Sequence, residues 1–104
     1  MQKAIDYIKT NWKEGKSLKE IAKIHKIDPG NLEREFRNTE GMTVKHYTDG
    51  KRKEYLMQLI SKDNTFGYEL AAKLGLKTDR AFYRWVKRAF GISYRQLRSD
   101  KIIK

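Results

Sequence analysis

The chain has no cysteine among its 104 residues, which excludes disulfide frameworks, thiolate nucleophiles and cysteine-ligated metals. Histidine is almost as scarce. His25 and His46 stand alone, and no paired carboxylates, glycine-rich phosphate loop or nucleophile elbow accompanies them. The sequence therefore predicts no enzyme, no metal site and no cofactor. No apolar run is long enough for a membrane span or a secretory signal, so a soluble, cytoplasmic protein is expected. No stretch alternates polar and apolar residues long enough to argue a strand, and the only proline is Pro29. An all-α chain is expected.

What the chain has in excess is positive charge. Lysine and arginine number 24 against 13 aspartates and glutamates, a formal net charge of +11. Such an imbalance points to an anionic partner. It is also uneven: residues 1–42 and 43–64 each carry +2, whereas residues 65–104 carry +7.

Helix signals follow one another at short intervals. Ala4 to Trp12 places Ile5, Ile8 and Trp12 at helical spacing, and Gly15 interrupts it. Ser17 and Glu20 have the form of a capping box opening a helix with Leu18, Ile21, Ala22 and Ile24 on its apolar face, ending near Lys26. Asp28 and Pro29 supply a cap and a suitable first residue for a helix over about 29–39. Gly41 stops it. Thr43 can cap a long helix over 43–61, with Val44, Tyr47, Tyr55 and Leu59 on one face and Leu56 and Ile60 widening the stripe. Asn64 or Thr65 can cap a helix bearing Leu70, Ala71 and Leu74. Thr78 and Asp79 start one over about 78–90 with Phe82, Val86 and Phe90 inward, and Ser93 with Gln96 opens a short last helix containing Leu97.

The two sides of the long helix repeat each other. Glu20, Ala22 and Ile27 recur 49 residues later as Glu69, Ala71 and Leu76. Leu32, Arg34, Phe36, Gly41 and Thr43 recur 50 residues later as Phe82, Arg84, Val86, Gly91 and Ser93. The one-residue slip falls in a turn, where insertion is easiest. Each copy has a small residue where two helices cross and a hydrophobe five positions on to fill their angle. That is the helix-turn-helix pattern, whose second helix enters the DNA major groove. The organisation expected is a first helix-turn-helix subdomain at 1–42, a linker helix at 43–61, and a second subdomain with a C-terminal helix at 62–104, about seven helices in all. A linker of roughly 27 Å is compatible with two recognition helices reading successive major-groove segments about 34 Å apart.

This order of features resembles the DNA-binding domain of the AraC/XylS family of bacterial transcription regulators. The likeness runs from about residue 4 to 98. It rests on Glu20-Ile21-Ala22, Leu32 to Phe36, Gly41, Tyr47, Arg52 and Leu59-Ile60. It continues through Glu69-Leu70-Ala71, Gly75-Leu76, Phe82, Arg84, the stretch from Val86 to Gly91, and Leu97-Arg98. Lys26 stands where such turns usually have glycine, Leu56 where alanine is usual, Val86 where phenylalanine is, and Tyr94 replaces a proline; Gly50 weakens the linker helix. The resemblance implies a bacterial origin, sequence-specific binding of double-stranded DNA and, often, activation through RNA polymerase. It also implies a structural role for Arg52, and base contacts at Asp79, Arg80, Tyr83 and Arg84, with Gly30, Glu33 and Arg34 at the corresponding places of the first module.

Outward helical positions agree with much of this. In the first module Asn31 and Arg34 are the candidate base readers, because Gly30 has no side chain and Glu33 with Glu35 repels phosphate. In the second they are Asp79, Arg80, Tyr83 and Arg84, arginine being suited to bidentate contact with guanine. Arg37, Lys51, Lys53, Lys77, Lys87 and Arg88 are candidate phosphate contacts. Trp12 and Trp85 are expected to pack, with the exposure of Trp85 left open beside Arg84. The second module is expected to dominate affinity. The competing reading is a basic helical module binding RNA or an acidic protein partner, which exposed Tyr83 among arginines keeps in play. No small-molecule site is evident.

Overall fold

The computed structural model describes residues 1–62 and 67–103. Every regular element among them is helical: α1 (Gln2–Asn11), a 3-10 turn at Trp12–Glu14, α2 (Leu18–Ile24), α3 (Pro29–Glu40), α4 (Val44–Lys62), α5 (Gly67–Lys73), α6 (Asp79–Phe90) and α7 (Tyr94–Ile103). The all-α expectation holds. Two compact units divide the chain, Met1–Gly50 and Lys51–Lys104, and each contains one helix-turn-helix.

In the first unit, helix starts are set by side chains that meet otherwise unpaired amides. The Ser17 hydroxyl accepts the Glu20 N–H at 3.1 Å while the Glu20 carboxylate accepts the Ser17 N–H at 3.2 Å, completing the capping box. Asp28 accepts the Asn31 N–H at 3.1 Å, with Pro29 at the first helical position. Thr43 accepts the His46 N–H at 3.1 Å at the start of α4. Gly41 closes α3 in the left-handed region, its N–H bonded to the Arg37 carbonyl at 2.9 Å.

These starts aim the apolar faces of three helices inward. Ala4, Ile5 and Ile8 of α1 meet Ile21 and Ala22 of α2 and Leu32 and Phe36 of α3 in one core. Val44 and Tyr47 of α4 pack on it, the Tyr47 ring edge-on to Phe36 at 5.4 Å. Burying a side chain the size of Phe36 or Leu32 stabilises by about 1.5–3 kcal/mol, so a few such residues suffice for a small unit.

Three expectations need correction here. Ile24, placed on the apolar face of α2, is 55% exposed; it lies about 160° around the helix from Ala22. Trp12 does not extend α1, because the chain tightens there into a 3-10 turn ended by left-handed Gly15. Nor does α4 carry one continuous stripe. Leu56 and Ile60, read as flanking, are its fully buried positions, while Val44, Tyr47, Tyr55 and Leu59 are only partly covered. The first half of α4 contributes to the first unit and its second half belongs to the other.

In the second unit the buried positions are Leu56 and Ile60 of α4, Leu70 and Ala71 of α5 with Leu74 just after it, Phe82, Trp85 and Val86 of α6, and Tyr94 and Leu97 of α7. Trp85 is 2% exposed, so it packs. Arg52 Nε donates to the Leu74 carbonyl at 2.9 Å, satisfying a helix-end acceptor as a structural arginine should. Thr78 caps α6 by accepting the Ala81 N–H at 3.0 Å, and Ser93 accepts the Gln96 N–H at 3.2 Å at the start of α7. The expected α5 caps, Asn64 and Thr65, lie outside the described residues.

The internal repeat extends to individual backbone bonds. Ile27 N–H bonds to the Ala22 carbonyl at 2.9 Å, and Leu76 N–H to the Ala71 carbonyl at 2.8 Å. One residue earlier, Lys26 N–H bonds to Lys23 and Gly75 N–H to Ala72, each at 3.2 Å. Both turns are thus Schellman closures, which require a left-handed residue after the helix. Gly75 adopts it at φ 77°, and Lys26 at φ 56°.

Candidate nucleic-acid interface

α6 separates its two sides sharply. Phe82, Trp85 and Val86 are buried, whereas Asp79, Arg80, Tyr83, Arg84, Lys87 and Arg88 are exposed. Arg80, Tyr83, Arg84 and Lys87 recur at the three- and four-residue spacing that puts side chains on one helical face. That face offers two guanidinium forks, one ammonium and a phenol that is 45% exposed. Asp79 sits in the first turn, and its carboxylate accepts the Arg80 N–H at 2.8 Å. An acidic side chain here complements the positive end of the helix dipole. Lys77 is exposed just before the cap.

α3 presents a different surface. Asn31, Arg34 and Arg37 are exposed, and Arg34 Nη2 donates to Asn31 Oδ1 at 2.8 Å. The two side chains therefore form an exposed pair. A Cβ at Gly30 would come within 3.1 Å of Asp28 Oδ2, so glycine leaves the helix cap undisturbed. Glu33 corrects the sequence reading. It is half-buried, and its carboxylate accepts the Val44 N–H at 3.1 Å rather than standing outward. The open amide end of α4 attracts it.

The remaining phosphate candidates differ in freedom. Lys53 is exposed on α4, its Nζ 5.9 Å from the centre of the Phe90 ring. Lys51 is half-buried, with Nζ 4.0 Å from the Glu54 carboxylate.

One feature escaped the sequence reading. A groove of about 710 Å³ runs between the second half of α6 and α7. Tyr83, Lys87, Tyr94, Arg95 and Arg98 line it, with the hydroxyl residues Ser93 and Ser99. The Tyr83 and Tyr94 rings lie 6.0 Å apart, and Phe82 stands edge-on to both, at 5.4 and 5.1 Å. Burial pushes the Tyr94 phenol above its ordinary pKa, although Arg98 pulls it the other way. The only signal in the sequence was tyrosine at 94 in place of proline. Among the described residues no cluster of three or more His, Cys, Asp or Glu could hold a metal, and no helix is long and apolar enough to cross a membrane.

Two units, each pairing a short helix with a capped second helix, define a double helix-turn-helix fold. Solved structures sharing it include the C-terminal domain of AraT, a response regulator from Geobacillus stearothermophilus. That domain is 24% identical, with 95% of this chain and 83% of that one covered at a TM-score of 0.81. The C-terminal domain of the two-component response regulator yesN from Fusobacterium nucleatum is 20% identical, with 93% and 95% covered and a TM-score of 0.79. A transcriptional regulator from Chromobacterium violaceum, described as containing an AraC-type DNA-binding domain, is 18% identical over 96% and 89%, with a TM-score of 0.64. No protein-family model and no curated protein sequence matches the chain. The likeness to these structures is one of fold.

Proposed function

We propose that this chain is a sequence-specific, double-stranded DNA-binding module of an AraC-type bacterial transcription regulator acting in the cytoplasm. One observation carries the reading: α6 has an aromatic buried side and an opposite exposed side bearing Arg80, Tyr83, Arg84 and Lys87. In this reading α3 and α6 are the recognition helices, each entering a major-groove segment. Arg80, Arg84, Tyr83 and Asp79 read bases in one, and the Asn31–Arg34 pair reads bases in the other. Arg37, Lys51, Lys53, Lys77, Lys87 and Arg88 contact phosphates and set the register. The kinship of fold with a protein described as an AraC-type regulator supports the assignment. Activation through RNA polymerase belongs to the same proposal.

The test is selection of bound fragments from a random duplex library at two salt concentrations, about 50 and 200 mM. A bipartite motif is expected, with its better-defined half lost in an Arg80→Ala, Arg84→Ala variant. Steep salt dependence with no enriched motif would leave only a basic helical module that coats nucleic acid. Preference for structured RNA over duplex DNA would favour the competing reading, for which exposed Tyr83 is the motivating side chain.

A further inference from the structure

We propose that the groove between α6 and α7 binds a small aromatic monoanion, such as an aryl carboxylate or sulfonate, in competition with DNA. Three properties of the groove lead there. Its volume, about 710 Å³, lies in the range of small-molecule sites. Its aromatic side chains are Tyr83 and Tyr94, held by edge-on contact with buried Phe82, which suits a flat apolar body. Its charge among the described residues is of one sign: Lys87, Arg95 and Arg98 line it, and no described lining residue is a carboxylate. Two planar forks and an ammonium around an aromatic surface complement an anionic headgroup on an aromatic ring. The Tyr94 phenol, protonated in the neutral range like any tyrosine and pushed further up by burial, can donate a hydrogen bond.

The competition follows from shared side chains and rests on the DNA-binding reading above. Tyr83 and Lys87 belong both to the groove and to the exposed face of α6. A ligand held against them takes the atoms that a base and a phosphate would need. The site would thus couple binding of an aromatic anion to DNA release.

The experiment titrates the full chain with 8-anilinonaphthalene-1-sulfonate, whose fluorescence rises in apolar surroundings. Saturable one-site binding is expected, weakened at least about tenfold in an Arg95→Gln, Arg98→Gln variant, as loss of charge-assisted hydrogen bonds predicts. Lys16→Gln, an exposed position in the other unit, should leave it unchanged. Because the double variant could also disturb α7, a Ser99→Phe variant that fills the groove while keeping every charge should weaken binding too, with helicity checked by circular dichroism. Non-saturable binding, or binding indifferent to these variants, overturns the site. Specific duplex should chase the bound probe. A chain that holds duplex and probe together overturns the competition. One that binds the probe at this groove but no duplex overturns the DNA reading and leaves the anion site standing.

Discussion

The Glu33 carboxylate accepts the Val44 backbone N–H at 3.1 Å, joining the middle of α3 to the first turn of α4. Val44 is the first residue of α4, so its amide lacks a carbonyl partner within the helix. Thr43 serves the His46 amide of the same turn, so two amides of this end have side-chain acceptors.

Glu33→Ala should therefore lower stability by about 1 kcal/mol, the usual cost of losing a helix cap, read as a lower urea midpoint of the full chain. Glu33→Gln, which keeps an acceptor oxygen, should recover most of it. Were Glu33 instead an outward acidic group, the alanine variant would bind duplex DNA more tightly with no loss of stability. That result would return Glu33 to the interface.

Lys26 offers a second test. It holds φ 56° at the place where Gly75 holds φ 77° in the other copy, with the same turn bonds around both. A left-handed backbone costs an L-residue with a side chain about 1–2 kcal/mol, part of which glycine loses again through its freer unfolded state. Lys26→Gly should stabilise the first unit by roughly 0.5–1 kcal/mol in urea unfolding, and Gly75→Ala should destabilise the second by at least as much. An unchanged midpoint for Lys26→Gly would mean the turn relaxes around lysine at no cost.

The repeat, the helix starts and the second helix of each pair were legible in the sequence because they are local. Ser17, Asp28, Thr43, Thr78 and Ser93 act on amides three residues away, within the span where residue type determines conformation. What was not legible depends on residues far apart. Glu33 and Val44 are eleven positions apart, and no spacing rule links them. The expected stripe of α4 failed for a related reason. Periodicity assumes one partner surface, and this helix serves two units. The groove at Tyr94 lies between two helices, so it depends on their packing rather than on either helix alone.

A pH-dependent contribution is expected from Lys9. Its ammonium lies 3.2 Å from the Glu40 carboxylate, and that hydrogen bond, aided by the charge attraction, raises its pKa above the ordinary lysine value. The folded state therefore holds the proton more tightly than the unfolded chain does. Stabilisation from the pair is fully present below the ordinary lysine pKa and is lost as pH rises through the higher folded value. Wild type and Glu40→Gln should differ in thermal midpoint at pH 7 to 9 and converge at about pH 11.5, where lysine is mostly neutral. Added salt should shrink the neutral-pH gap, since the Lys9 ammonium is exposed to water. A gap that persists undiminished at alkaline pH would assign it to packing of the Glu40 stem instead.

The division of labour on α6 can be tested one side chain at a time. A bidentate arginine reads one base pair, so Arg84→Ala should cost about 1–3 kcal/mol on the preferred duplex and relax selectivity at one position of the motif. In the proposed reading Lys87 acts as a point charge on phosphate. Lys87→Ala should weaken binding to all duplexes alike and lower the slope of log affinity against log salt by about 1. Arg34→Ala differs again, because Arg34 is bonded to Asn31 at 2.8 Å and its removal frees the amide it held. Loss at the first half-site should therefore come with altered, not merely weaker, preference there. If Arg84→Ala and Lys87→Ala act identically, weakening every sequence equally, α6 is a charged surface against the backbone and does not read bases.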